Sequence, residues 1–271
     1  MNRKKTAIVT GASRGIGASL VRAFRDRGYQ VVTNSRNISS THTFDSLAGI
    51  VLVDGDIGKP ATAETVTEAA IAHFGSIDVL VNNAGIFLSK PFTEYTEDDF
   101  MALISTNVAG FFFLSQLAVR QMMKQKSGSV VNISTSLVDQ PLACLPAALP
   151  ILTKGALQAV TGGLATEYAA HGIRVNAVSA GVIDTPMNPK EIHGFLKTLE
   201  PMGRLGKIDE IVEAVLYLTE ATFVTGEVLH VDGGQHAGRW GRLDVADAMT
   251  KMDKMRRAFS YGRERSEHVA R

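Results

Sequence analysis

Thr10-Gly11-Ala12-Ser13-Arg14-Gly15-Ile16-Gly17 is the stretch on which the fold turns. Just before it, Thr6-Ala7-Ile8-Val9 is apolar without clean alternation, as a strand covered on both faces of a parallel sheet would be. Just after it, Ala18-Ser19-Leu20-Val21-Arg22-Ala23-Phe24 carries its apolar residues at helical spacing. The order is strand, glycine-rich turn, helix. Glycine reaches positive φ at little cost and lacks the Cβ that would keep a phosphate off the backbone. Free N–H groups and the dipole at the helix start favour an anion such as a diphosphate. A glycine turn alone also occurs in ordinary strand–helix connections. The flanking strand and helix are what point to nucleotide binding.

A chain of 271 residues, 45% of them hydrophobic, can bury one large core. Lysine plus arginine (28) nearly balance aspartate plus glutamate (27), so no basic excess points to nucleic acid. Cys144 is the single cysteine, which excludes an internal disulfide framework and fits a reducing compartment. Met1-Asn2-Arg3-Lys4-Lys5 is basic, but the apolar run behind it is one strand long and is no signal core. No stretch is expected to reach the length that spans a bilayer. The expectation is a cytoplasmic protein with a small-molecule partner and no nucleic acid, membrane or metal partner.

Strands and helices alternate along the chain, which implies a parallel sheet covered on both faces. Expected strands are Gln30–Thr33, Ile50–Val53, Ile77–Val81, Ser129–Ile133, Ile173–Val178 and Glu227–Val231. Asn37 to Gly49 is rich in Ser and Thr and has no helical period, so that crossover reads as short or irregular. Pro60 suits the first turn of a helix to about Phe74. Thr96-Glu97-Asp98-Asp99 starts a helix, with a capping hydroxyl and acids in its first turn, that runs to about Gln125. A second long helix is expected over about 147–170, closed by Gly172. Both long helices carry apolar residues on more than one face, including Phe111, Phe112, Phe113 and Leu114, then Leu152, Leu157, Val160 and Leu164. The second face is either extra core or a subunit contact, and large exposed apolar patches are uncommon on monomers.

The spacing T-G-x-x-x-G-x-G differs from the G-x-G-x-x-G of most dinucleotide folds and resembles the short-chain dehydrogenase/reductase family. Asn82-Asn83-Ala84-Gly85, Asn107 and Val231-Asp232-Gly233-Gly234 extend the resemblance over about residues 5–240. It implies one doubly wound, Rossmann-type α/β domain with a parallel sheet of about seven strands, working as a hydride-transferring oxidoreductase. It also implies a homodimer or homotetramer built on the two long helices. Gly11, Ser13, Arg14, Gly15, Ile16 and Gly17 would hold the cofactor diphosphate. The end of the second strand meets the adenosine ribose, where an acid would select NAD(H). Here stand Asn34, Ser35 and Arg36, with no acid. The Arg36 guanidinium can fork a phosphate, and Arg14 is a second cation, so NADP(H) is expected over NAD(H). By the resemblance, Asp56 and Ile57 meet the adenine, and Asn83, Ala84 and Gly85 line the cofactor. Gly181, Ile183 and Thr185 reach the nicotinamide, with Ala180 where the family usually has proline.

Members of the family work with Asn, Ser, Tyr and Lys, the last two one helical turn apart. A neighbouring ammonium lowers the phenol pKa from near 10. Asn107 and Lys154 match, but Pro150 stands four residues before Lys154. No tyrosine lies between Tyr95 and Tyr168, so no gap restores the pair. The substrate hydroxyl is Thr135, with Ser136 a close competitor, unless both only make local bonds at a strand end. Lys154 would also bind the nicotinamide ribose. The reading is therefore a reductase or dehydrogenase with an atypical site, or else a non-catalytic NADP(H)-binding sensor or partner subunit. Residues 241–271 form a C-terminal extension. Val245, Met249, Met252 and Phe259 fall near one face of a helix expected over 244–259, a surface helix or a cover over a neighbouring cleft.

Overall fold

The computed structural model describes residues 3–44 and 47–238. Its strands are β1 (Thr6–Thr10), β2 (Gln30–Ser35), β3 (Ile50–Asp54), β4 (Val79–Asn82), β5 (Gly128–Thr135), β6 (Ile173–Ala180) and β7 (Val228–Val231). They form one sheet in the order β3-β2-β1-β4-β5-β6-β7, and every neighbouring pair is parallel. The helices are α1 (Gly15–Asp26), α2 (Pro60–Phe74), α3 (Glu97–Leu103), α4 (Gly110–Gln125), α5 (Ala148–Tyr168), α6 (His193–Leu196) and α7 (Ile208–Glu220). The winding reverses between β1 and β4, which opens a crevice at the carboxyl ends of those strands.

Side chains alternate across the sheet and feed two cores. Val9, Val81, Val131 and Val178 face α1 and α7, against Leu20, Phe24, Ile211 and Val215. Ile8, Val32, Leu80 and Val130 face the other way, against Val66 and Ala70 of α2 and Leu114, Ala118 and Met122 of α4. Each such side chain fully buried contributes about 1.5–3 kcal/mol. Most polar groups inside are paired; among the described residues Ser129 Oγ, Glu200 Oε2 and Gln235 Nε2 are buried without a partner. Asn82 donates to Ser115 Oγ and Asn132 Oδ1, both at 2.9 Å, and Asn132 donates to Thr161 Oγ1 at 3.0 Å. That chain of bonds ties β4 and β5 to α4 and α5.

Two expectations are corrected. The run from Glu97 to Gln125 is helical throughout, but Ile104–Ala109 is wound as a π-helix between α3 and α4. Such loosened turns let a side chain leave the regular helical row, and Asn107 lies within this one. The same run, 29 residues long, is long and apolar enough by length and composition to cross a membrane, contrary to the reading of the sequence. Its Leu103, Leu114, Ala118 and Met122 are buried inside the fold, so its hydropathy is that of a core helix. Its start matches: Thr96 and Asp99 exchange hydrogen bonds as a capping box.

The crossover from Asn37 to Gly49 holds one 3-10 turn, Ser39–Thr41, and its residues 45–46 lie outside the description. α5 tolerates Pro150 because the helix starts at Ala148 and its first-turn N–H groups lack helical partners anyway. Phe111, Leu114 and Leu157 are core, whereas Phe100, Met101, Phe112 and Leu152 are exposed. A third cluster covers the carboxyl edge of the sheet: Leu137, Leu142 and Leu145 after β5 pack with Phe195, Leu196 and Leu199. The helix expected over 244–259 and the rest of the extension lie outside the described residues.

Candidate active site

The turn after β1 is built for close approach. Gly11 and Gly15 take φ of 66° and 59°, which glycine adopts readily. A Cβ at Gly11 would stand 2.7 Å from Ala84 Cα, and one at Gly17 would stand 2.5 Å from the Gly11 carbonyl. Thr10 Oγ1 accepts from the N–H groups of Asn83 and Ala84, at 3.1 and 3.0 Å, and Asn83 Nδ2 donates to the Thr10 carbonyl at 2.8 Å. The segment after β4 is thus laced to the turn. No side chain caps α1, whose first turn is Gly15, Ile16 and Gly17. Those N–H groups, with Ser13 beside them, could hold a diphosphate.

Arg14 and Arg36 are exposed, and neither forms an ion pair among the described residues. Asn34 differs from them. It is buried, and its Nδ2 donates to the carbonyls of Val53 and Gly55 at 3.0 and 3.1 Å. Its carbonyl accepts from Gly11 N at 2.8 Å. Asn34 shapes the rim, while Ser35 and Arg36 present it. Asp56 is exposed and accepts from Gly58 N at 3.0 Å, and Ile57 is buried against Gly110. On the far side, Gly181 N donates to the Val231 carbonyl at 3.1 Å, Ile183 is buried, and Thr185 comes back beside Gly15.

Between these walls stand Lys154 and Asn107. Lys154 Nζ donates to the Ile133 carbonyl at 2.8 Å. Asn107 Oδ1 accepts from Ile86 N at 2.9 Å, and its Nδ2 donates to the Ile86 carbonyl at 3.1 Å and to Thr153 Oγ1 at 3.0 Å. Gly85 leaves room for both. Burial lowers the Lys154 pKa to about 8. It is an ammonium at neutral pH, yet a much stronger acid than an ordinary lysine.

The three hydroxyls that end β5 have different surroundings. Ser134 Oγ donates to the Lys154 carbonyl at 3.1 Å. Ser136 is buried and donates to Gln235 Oε1 at 2.6 Å and to the Ala180 carbonyl at 3.3 Å. Thr135 is partly exposed and accepts from Leu137 N at 3.4 Å. Among the described residues, Thr135 alone of the three donates to no protein group.

A family model described as enoyl-(acyl carrier protein) reductase matches residues 11–236. An uncharacterized oxidoreductase of Thermotoga maritima is 36% identical over 251 residues, 86% of this chain and 98% of that protein. The gluconate 5-dehydrogenase of Gluconobacter oxydans is 35% identical over 243 residues, 84% of this chain and 93% of that protein. ElxO, solved with NADP bound, superposes with a TM-score of 0.81 at 32% identity, covering 87% of this chain and all of that one (100%). The chain belongs to the short-chain dehydrogenase/reductase family.

In this short-chain dehydrogenase/reductase chain, Pro150 is buried in the first turn of α5, one turn before Lys154. A phenol does approach that turn from elsewhere. Tyr95 Oη donates to the Leu88 carbonyl at 2.7 Å, and the backbone of Lys90 and Leu149 lies near enough to offset part of the effect of its burial. Nothing in the spacing of Tyr95 and Pro150 announced that meeting. Burial nevertheless raises the Tyr95 pKa, the reverse of what an activating ammonium does. The Tyr95 hydrogen bond stays within the segment after β4, and it is Ser89 Oγ that donates across, to the Pro146 carbonyl before α5, at 2.7 Å.

Proposed function

We propose that this oxidoreductase is NADP(H)-dependent and acts on a small carbonyl, alcohol or imine through an atypical site in which Lys154 heads the proton path. The residues fit the cofactor on observations of the fold itself: an uncapped helix start, glycines packed where no Cβ fits, and two arginines at the rim with no ion pair among the described residues. When bound, NADP(H) supplies or takes the hydride. Gly11 to Gly17 would hold its diphosphate, Arg14 and Arg36 its 2′-phosphate, and Ile183 and Thr185 its carboxamide. ElxO, solved with NADP, supports the same reading.

The observation that carries the mechanism is the position of Lys154. Its ammonium is anchored two residues before Thr135, which keeps an available hydroxyl, and its pKa is brought down to about 8. An acid with a pKa near the working pH is well suited to general catalysis. Thr135 donates its hydroxyl proton to the substrate oxygen and regains one from Lys154, directly or through water. Asn107 holds Ile86 and Thr153 in place around that ammonium. Nothing at Pro150 can serve, so simple ketones are reduced slowly. A substrate that arrives as an iminium needs no simultaneous proton and escapes this handicap.

The buried Pro150 also favours a second reading, a protein that binds NADP(H) without turnover. NADPH binding measured by fluorescence, beside NADPH oxidation with a panel of ketones, quinones and imines, separates the two. Tight binding with no turnover on any substrate would leave only the second. We further propose a homodimer or homotetramer, supported by Phe100, Met101, Phe112 and Leu152 exposed on α3, α4 and α5.

A further inference from the structure

Glu200 is a buried carboxyl, 5% exposed, that plays no part in the chemistry above. It ends the segment that begins with α6, whose Phe195, Leu196 and Leu199 pack over the carboxyl edge of the sheet. Its Oε1 accepts a 2.7 Å hydrogen bond from the N–H of Val182. Its Oε2 is also buried and has no partner among the described residues. Gly181 makes the approach possible: a Cβ there would stand 3.0 Å from Oε1 and 2.7 Å from Asp232 Cα. Gly233 comes to the other oxygen, its Cβ direction ending 3.5 Å from Oε2. One carboxyl therefore joins three segments, those after α6, β6 and β7.

The charges facing it are already committed. A cavity of about 310 Å³ beside Glu200 is lined by Arg204, Glu210, His230, Asp232 and His236. Arg204 pairs with Glu210 at 2.6 Å, His236 with Asp232 at 2.9 Å, and His230 with Asp139 at 3.1 Å. Each of these described side chains has its own partner, and none is left over for Glu200. Burial pushes the Glu200 pKa up to about 7, against the pull of the Val182 N–H and with a further push from Asp232. An ionised acceptor makes a hydrogen bond roughly twice as strong as a neutral one.

We propose that Glu200 is a positioning residue: ionised, it pins Val182, and with it Ile183 and Thr185, to the segment that covers the substrate side; protonated, it loosens that tie. The proposal rests on the cofactor reading of Ile183 and Thr185. The bond it needs is present, the partner is a backbone group two residues from Thr185's neighbour Asp184, and burial pushes the carboxyl's pKa up to about 7. Lowering the pH through about 7 should then weaken nicotinamide cofactor binding by loosening the wall it leans on.

The experiment measures the dissociation constant of NADPH by fluorescence from about pH 5.5 to about pH 8.5, with kcat and KM on any substrate found. It compares the unmodified chain with Glu200→Gln and Glu200→Ala, each checked for melting temperature. Glutamine keeps an acceptor for Val182 N–H and does not titrate. NADPH itself titrates, so the difference between the unmodified and Gln profiles is the readout. The unmodified chain should lose roughly 3–10-fold more affinity than Glu200→Gln as the pH falls. Glu200→Ala should be weak throughout. Superimposable profiles for the unmodified chain and Glu200→Gln, with NADPH bound, overturn the role of Glu200 alone. Failure of the unmodified chain to bind NADPH at any pH overturns the cofactor reading and this proposal with it.

Discussion

Gly85 and Lys154 are matched in space: a Cβ on residue 85 would lie 2.9 Å from Lys154 Nζ and 3.3 Å from Asn107 Oδ1. The two residues come from different elements, one from the segment after β4 and the other from α5. The ammonium keeps its bond to the Ile133 carbonyl because residue 85 has no side chain. Gly85→Ala should push Lys154 off that anchor. The lysine stem is flexible, so the fold should survive with a small loss in melting temperature. Turnover should fall by up to about 10²-fold, the scale of an ångström-sized misplacement of a catalytic group. Wild-type kcat in a folded Gly85→Ala would show that Lys154 has no positional role.

The pH dependence of reduction follows from Lys154. Burial lowers its pKa to about 8, so the ammonium, the acid form, is present below that value and is lost as pH rises through it. The rate of carbonyl reduction at saturating NADPH should be level on the acid side and fall above about pH 8. Lys154→Ala should abolish turnover beyond any loss of NADPH affinity. A rate that stays level to about pH 10, where an ordinary lysine titrates, would place the acid elsewhere.

The sheet was legible because its signals are local. Apolar runs such as Thr6–Val9 and Gly-rich turns sit where they act. The polar connections were not legible, because their partners are far away in sequence. Asn34 read as a rim residue, yet its amide spans to Val53 on the next strand and to Gly55 just beyond it. Ser136 read as a rival to Thr135, and nothing local announced the bond from its hydroxyl to Gln235, 99 residues on. The π-helical turn at Ile104–Ala109 was invisible because its mixed polar and apolar residues fit either winding. Glu200 reads as a loop acid in a string of letters, and only packing shows that it is buried.

Cofactor choice should depend on Arg36. It is exposed just after β2 and pairs with no acid among the described residues, so its charge is available to a 2′-phosphate. Arg36→Asp removes a charge-assisted contact of about 1.5–3 kcal/mol and adds repulsion. NADPH should bind at least about 10-fold more weakly and NADH nearly as before. Equal affinity of the unmodified chain for both nucleotides would refute the assignment.

Assembly is tested most directly by mass. Phe112 and Leu152 are 53% and 54% exposed, so charging them leaves the core intact. Light scattering at micromolar concentration should give a dimer or tetramer, through a two-fold axis in the simplest case. Phe112→Glu with Leu152→Glu should shift it towards monomer without lowering helix content. A monomeric unmodified chain would end the proposal.

Pro150→Tyr tests the atypical site itself. Proline at this position has no proton to give, and general acid catalysis is worth about 10²–10⁴-fold. Tyrosine restores a phenol one turn before Lys154, whose ammonium would lower the phenol pKa. The carbonyl of residue 150, which accepts from Thr153 Oγ1 at 3.1 Å, is unchanged by the substitution. The new ring must still fit where a buried proline stood, and overpacking costs about 1–3 kcal/mol. The melting temperature therefore has to be read alongside the rate. Ketone reduction should rise towards the 10²–10⁴-fold limit, about as far as the ring reaches the substrate oxygen. Reduction of a preformed iminium should not change, since it needs no proton as the hydride arrives. A folded Pro150→Tyr that gains nothing on ketones would show that the first turn of α5 does not face the reacting oxygen. Ketone rates in the unmodified chain equal to those of relatives with the intact Tyr and Lys pair would show that another group already does the work of the phenol.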